Sequence, residues 1–360
     1  MNMTSENPYV GPRTFQKDEG HLFFGREREA SDLIALVASE QLVLFYAQSG
    51  AGKSSLINTR LIPYLEGREY EVLPGGRISG NQPPGVEIDN IYIFNLFRNL
   101  DQHEPDLNSL ALLSLTDFLG NLNKDETGYF YDDSPLEKIP AEEAFTTPAR
   151  RALIIDQFEE LFSTNPEAWT KRENFFRQLA QAMQDDPYLW VVLVMREDYI
   201  AALDPYAHLL PNGLRVRYYM QRLGREAALQ AITGPVQELR PYAEGVAERL
   251  VDDLSSIRVQ KPDGTRDVQS GQYVEPVQLQ VVCYSLWKNL SPDGTYITEV
   301  DLQEIGDVDQ SLGNYYEERV KSVAATKNVK ERLIREWFGE KLITAGGIRN
   351  LVLQEAHGKS

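Results

Sequence analysis

One cysteine, Cys283, stands among 360 residues. That excludes an internal disulfide framework and suits a reducing compartment. The four histidines, His21, His103, His208 and His357, are scattered and offer no zinc-ligand spacing. Long apolar runs are missing as well. "LVLFYA" (42–47) and "YLWVVLVM" (188–195) are six and eight residues long, strand length and far short of the roughly 20 residues a membrane helix needs. The opening "MNMTSENPYVGPRTF" lacks the charged-then-apolar order of a signal segment. Basic residues are in deficit, 36 Lys and Arg against 54 Asp and Glu, for a formal net charge of -18. Such a surface repels polyphosphate backbones, so nucleic acid is not the default partner, and no membrane partner is expected. Together these absences predict a soluble, cytoplasmic protein.

Hydrophobic residues make up 42% of the chain, enough for a real core, and the length predicts two or three domains. Short apolar runs rich in branched and aromatic residues predict buried strands at 42–47, at "IYIFNLF" (91–97), at "ALIID" (152–156) and at "WVVLVM" (190–195). Helical patterns separate them, at 25–40, 53–65 and 169–184. Strands alternating with helices imply a parallel sheet covered on both faces, with ligands beyond the carboxyl ends of the strands. Past residue 220 the strand signals fade, and 224–239, 246–256, 276–290 and 301–325 read as helices. Residues 258–276, with Asp-Gly and Ser-Gly pairs, read as a loop or small hairpin. "PGGRISGNQPPG" (74–85) and "NKDETGYFYDDSP" (123–135) read as surface excursions. The expected division is an α/β domain with an amino-terminal arm over 1–220, a helical domain over 221–326, and a third segment over 327–360.

"FYAQSGAGKSSLINTR" (45–60) carries the chemistry. It matches the phosphate-binding loop G-x-x-x-x-G-K-[ST] except that Ala47 stands at the first glycine. Such a string arises by chance in a chain of this length with a probability on the order of a few per cent. Here it also follows an apolar strand and opens an amphipathic helix, the context it needs. Gly50 and Gly52 let the main chain turn its N–H groups toward phosphate oxygens, with Ser49, Ala51 and Ser55 in the same turn. Lys53 supplies charge to the β- and γ-phosphates, and Ser54 a hydroxyl to Mg²⁺. A methyl group at Ala47 is tolerable where the dihedrals stay in the β region.

"ALIIDQFEEL" (152–161) puts Asp156 at the carboxyl end of a predicted strand, able to hold Mg²⁺ through water beside Ser54. A hydrolase also needs a carboxylate to orient and deprotonate water, and Glu159 and Glu160 are both candidates. In "WVVLVMRED" (190–198) Arg196 leaves another strand end and can reach a γ-phosphate, with Asp198 to orient it. The basic cluster Arg215, Arg217, Arg222 and Arg225 reads mainly as a solvated face.

"NPYVGPRTF" (7–15), "FFGRERE" (23–29), "QSGAGKSSL" (48–56), "DQFEELF" (156–162), "MRED" (195–198) and "AITGPV" (231–236) occur in one order. In that order the chain resembles the prokaryotic STAND NTPases of the novel-STAND type, relatives of the NACHT and apoptotic ATPases. The resemblance implies an ASCE-type P-loop sheet, then an α-helical lid and the start of a winged helix. It implies ATP or ADP with Mg²⁺ as ligands, and a slow regulatory ATPase that switches a resting monomer to a signalling homo-oligomer, in antiphage defence or programmed cell death. It also places Phe24, Gly25 and Arg26 on the adenine side with Pro12 nearby, Pro235 as the lid contact, and Glu159 as the water-activating acid. The lid motif lacks the spacer residue of the G-x-P form. Residues 340–360 resemble a winged helix begun and not completed, so effector and sensor are expected on other domains or subunits. A nucleotide-binding scaffold without turnover is the alternative. A guanine-specific Asn-Lys-x-Asp is absent, since "NKDE" (123–126) ends in Glu and precedes the Asp156 strand.

Overall fold

The computed structural model describes residues 7–103, 105–132, 149–260 and 266–342. The chain divides into two compact units, one of residues 14–224 and one that joins the segment up to Arg13 to the chain from Arg225 onward. The expected amino-terminal arm is thus divided between them.

The first unit is built on five strands, β1 Leu42–Ala47, β2 Tyr70–Val72, β3 Arg150–Ile155, β4 Leu189–Arg196 and β5 Arg217–Met220. They lie in the order β2-β3-β4-β1-β5, every neighbouring pair parallel. β4 therefore separates the loop strand β1 from the carboxylate strand β3, as an ASCE-type sheet requires. Register sets where their ends fall. Ala47 pairs with Arg196 and with Met220, so β1, β4 and β5 finish level. Ile155 pairs with Leu193, which leaves Asp156 beside the same end. Helices flank the sheet, and continuous apolar runs, not alternation, are what strands covered on both faces need. Val43, Leu44, Phe45, Leu153, Ile155 and Leu193 are fully buried.

Residues 91–97, expected as a strand, form instead the helix Ile91–Leu100. The Asn90 side chain accepts from the Tyr92 and Ile93 N–H groups and caps its first turn. Tyr92 through Phe97 are all buried, and so short an apolar run cannot be told from a buried strand by periodicity alone. Phe97 stacks on Phe118 at 4.1 Å. Strands β2 and β5, absent from the sequence expectation, complete the sheet at its two edges. The 123–135 excursion contains a hairpin pairing Leu122–Lys124 with Tyr129–Tyr131; residues 133–135 lie outside the described residues.

The second unit is helical: Arg225–Thr233, Val246–Ser255, Pro276–Asn289, Glu299–Ile305, Val308–Lys327 and Glu331–Trp337. The expected hairpin in it pairs Ser256–Gln260 with Arg266–Ser270. The amino-terminal segment is stitched into this unit. The Tyr9 hydroxyl donates to the Ile232 carbonyl at 2.6 Å and lies 3.3 Å from the Tyr242 hydroxyl. The Asn7 amide donates to the Tyr284 carbonyl at 3.0 Å. Burial pushes the Tyr9 and Tyr242 phenols well above their usual range and raises the neighbouring Cys283 thiol to about 12. The winged-helix expectation falls mostly on residues 343–360, outside the described residues. Among those described, no helix is long and apolar enough to cross a membrane.

Candidate functional site

Strand β1 delivers the chain to the loop, and Gly50 (φ +77) and Gly52 (φ +96) turn it through left-handed backbone that only glycine adopts cheaply. Ala47 remains strand, fully buried, and is not among the positive-φ residues, so its methyl group strains nothing. Ser49 and Gly50 are exposed, Ala51 is buried, and Gly52 and Ser54 are half-buried. The helix begins at Lys53. The Lys53 ammonium donates to the Ala47 carbonyl at 3.2 Å and the Gln48 carbonyl at 3.0 Å. Burial holds its pKa below the ordinary lysine value, an effect the Glu159 and Asp156 carboxylates partly offset.

The Ser54 hydroxyl donates to Asp156 Oδ2 at 2.6 Å. This bond joins positions 102 residues apart and brings the phosphate loop against the end of β3. The second carboxylate oxygen, Oδ1, accepts the Gln157 N–H at 2.8 Å. A hydroxyl and a carboxylate are hard oxygen donors of the kind Mg²⁺ takes. Among the described residues no cluster of three or more His, Cys, Asp or Glu could hold a metal ion.

Glu159 and Glu160 separate here. Glu159 Oε2 accepts the Arg196 N–H at 3.2 Å, at the end of β4. Burial raises its carboxyl pKa, opposed by its hydrogen bonds and by the Lys53 charge. Glu160 points to another partner, Arg77, whose guanidinium donates to Glu160 Oε1 at 3.3 Å. The Arg196 guanidinium is gripped by Asp198 through two bonds of 3.0 and 2.6 Å, with the Tyr199 ring 5.6 Å away.

Arg26, expected on the adenine side, is buried and donates to the Ala51 carbonyl at 3.1 Å while pairing with Glu29. It braces the loop main chain. Phe24 is half-buried, and Gly25 is buried at φ +79. The Ser55 hydroxyl accepts the Phe15 N–H at 3.2 Å, and Asn58 donates to the Phe15 carbonyl at 2.9 Å, so the segment from Thr14 is tied to the helix behind the loop. Pro12 and Pro235 belong to the second unit, Pro12 exposed and Pro235 buried in the turn Gly234–Val236. Of the basic cluster, Arg217 pairs with Asp204 at 2.8 Å, Arg225 pairs with Asp252, Arg215 is exposed, and Arg222 donates to the Gln48 side chain.

Two residues at the site are not among the candidates the sequence singles out. Gln157 holds a left-handed conformation, φ +57, and Arg77 reaches it from the 74–85 excursion. Only an unexplained glutamine between Asp156 and Phe158 marks the first, and nothing marks the second.

The model of the family Novel STAND NTPase 1 matches residues 8–351. No curated protein matches the chain. Among solved structures, a Walker-type ATPase of Pyrococcus abyssi is similar at 15% identity and a TM-score of 0.49, over 92% of this chain and 80% of its own.

Proposed function

The chain belongs to the novel STAND NTPase 1 family and is an NTPase module; on that premise we propose that it binds and slowly hydrolyses ATP at the loop of residues 49–55. The observation that carries this reading is the 2.6 Å bond from Ser54 to Asp156, which unites the two segments that a phosphate-and-metal site requires.

The main-chain N–H groups around Gly50 and Gly52 cradle the phosphates, and the amino-terminal end of the following helix faces the same anion. Lys53 exchanges its two carbonyl partners for phosphate oxygens, which satisfy an ammonium desolvated by burial more fully than neutral carbonyls do. Ser54 and Asp156 would hold Mg²⁺, which when bound supplies positive charge to the β- and γ-phosphate oxygens. Glu159 is the general base: it orients a water and takes its proton as the water oxygen bonds to the γ-phosphorus and the bridging bond to ADP breaks. Its raised pKa suits that exchange. Arg196, released from Asp198, contacts the γ-phosphate and distinguishes ATP from ADP. Phe24 and Gly25 lie on the adenine side.

The family resemblance extends the proposal to a switch in which ATP favours a signalling homo-oligomer over a resting form, acting on effectors in antiphage defence or programmed cell death. Phosphate release from ATP, compared between the parent and Lys53→Ala, tests the enzyme. Light scattering under ATP and ADP tests the switch. Release no faster than background in the parent leaves a nucleotide-binding scaffold; one mass under every nucleotide condition removes the switch.

A further inference from the structure

Asp156 does not orient itself. Its Oδ1 is held by the N–H of Gln157, a residue of the turn after β3 that itself sits at φ +57. For a residue with a side chain the left-handed region costs about 1–2 kcal/mol, so something must hold the turn. Arg77 does. One of its terminal nitrogens donates to the Gln157 side-chain oxygen and to Glu160 Oε1 at 3.3 Å, bridging the residue after Asp156 to the helix start at Glu160.

Arg77 is itself placed by the sheet. Gly76 bridges Ile155 in parallel, donating to the Ile154 carbonyl at 2.8 Å and accepting the Asp156 N–H at 3.1 Å. A Cβ at Gly76 would stand 2.8 Å from Leu96 Cδ1 and 3.3 Å from the Ile154 carbonyl oxygen, so a side chain here would force its neighbours to move. Asn99 donates to the Arg77 carbonyl at 3.3 Å from the helix Ile91–Leu100. The excursion read as a surface loop is an added rung beside β3, and it carries a guanidinium to the turn that aims Asp156.

We propose that Arg77 is a positioning residue for the metal of the bound nucleotide: by clamping Gln157 and Glu160 it fixes the Asp156 carboxylate toward Ser54. This rests on the reading of Ser54 and Asp156 as the metal-holding pair. Glu160, neutralised by Arg77, belongs to the brace and not to the reacting groups.

The test titrates Mn²⁺ into the protein–ADP complex and follows the free-ion EPR signal. Arg77→Ala should weaken Mn²⁺ binding roughly 10-fold, the lower end of what loss of a group behind a metal ligand costs. Fluorescent-ADP affinity in EDTA should change less than about twofold, since the phosphate grip is untouched. Arg77→Lys keeps the charge opposite Glu160 without the planar fork and should fall between; it carries the test should the alanine variant not fold. In a Gln157→Gly background, where glycine holds the turn unaided, Arg77→Ala should lose most of its effect. Parent-like Mn²⁺ binding by both Arg77 variants overturns the proposal, as does a full Arg77→Ala effect in the Gln157→Gly background. Asp156→Asn separates the two levels. If it also binds Mn²⁺ normally, the metal reading of Asp156 fails; if it does not while the Arg77 variants do, only the role of Arg77 fails.

Discussion

Two left-handed turns meet at the Ser54–Asp156 bond, and they are made in opposite ways. At Gly52, φ +96, a built Cβ would find no atom within 4 Å, so the demand for glycine comes from the local backbone conformation and not from a neighbour. At Gln157, φ +57, the shape is imposed on a residue that resists it, by a guanidinium 80 positions away in sequence. The first turn is written locally, in its own glycines. The second exists only once the sheet has assembled. A site with one autonomous half and one dependent half can keep its grip on phosphate while its carboxylate is retuned.

Experiments can press on each half. The largest effect is expected on the carboxylate side. Glu159→Gln should slow hydrolysis by about 10²–10⁴, the range for loss of a general base, while fluorescent-ATP affinity stays; unchanged turnover would take the base role from Glu159. On the loop side, Lys53→Ala should weaken ATP binding roughly 10- to 100-fold, the worth of a charged phosphate contact at about 1.5–3 kcal/mol. Equal affinity in variant and parent would mean the ammonium stays with its two carbonyls.

Smaller effects compare the turns directly. Gly52→Ala, with open space around the new methyl group, should cost about 1–2 kcal/mol from backbone strain alone, read as a lower melting temperature. Gln157→Gly should move stability by less than that. Its relief of strain is offset by about 0.5–1 kcal/mol of glycine chain entropy and by the lost Arg77 bond. Equal shifts at the two sites would erase the distinction between them.

The smallest effect is pH-dependent. Burial raises the Glu159 pKa, so the folded state holds that proton more tightly than the unfolded chain does. Its contribution therefore favours folding below the unfolded pKa and is lost as pH rises through the folded one. Glu159→Gln should then melt slightly higher than the parent at neutral pH, with the gain vanishing on acidification. A gain that grows on acidification would reverse the assignment.

The same contrast explains what could be read from residues alone. Strands β1, β3 and β4 and the glycine turn are encoded within windows of five to sixteen residues, and so were legible. The helix Ile91–Leu100 was not, because its apolar run of seven residues is too short for periodicity to separate helix from strand; its one local mark is the capping Asn90. The edge strand Tyr70–Val72 has three residues, too few for any pattern. Glu159 and Glu160 are adjacent and chemically alike, and only the fold turns one toward Arg196 and the other toward Arg77. Arg77 itself lies in a glycine- and proline-rich stretch whose composition says loop and conceals what the loop reaches.

Tyr9 has a practical corollary. The helical unit is discontinuous in sequence, its core completed by a tyrosine that precedes the whole NTPase unit. A fragment starting at Arg225 would leave that ring's place empty and the Ile232 carbonyl without its donor. Loss of a buried aromatic costs roughly 3–5 kcal/mol. Anyone excising the helical unit for separate work would need to carry residues 7–11 along, spliced on by a short linker, to obtain a folded piece.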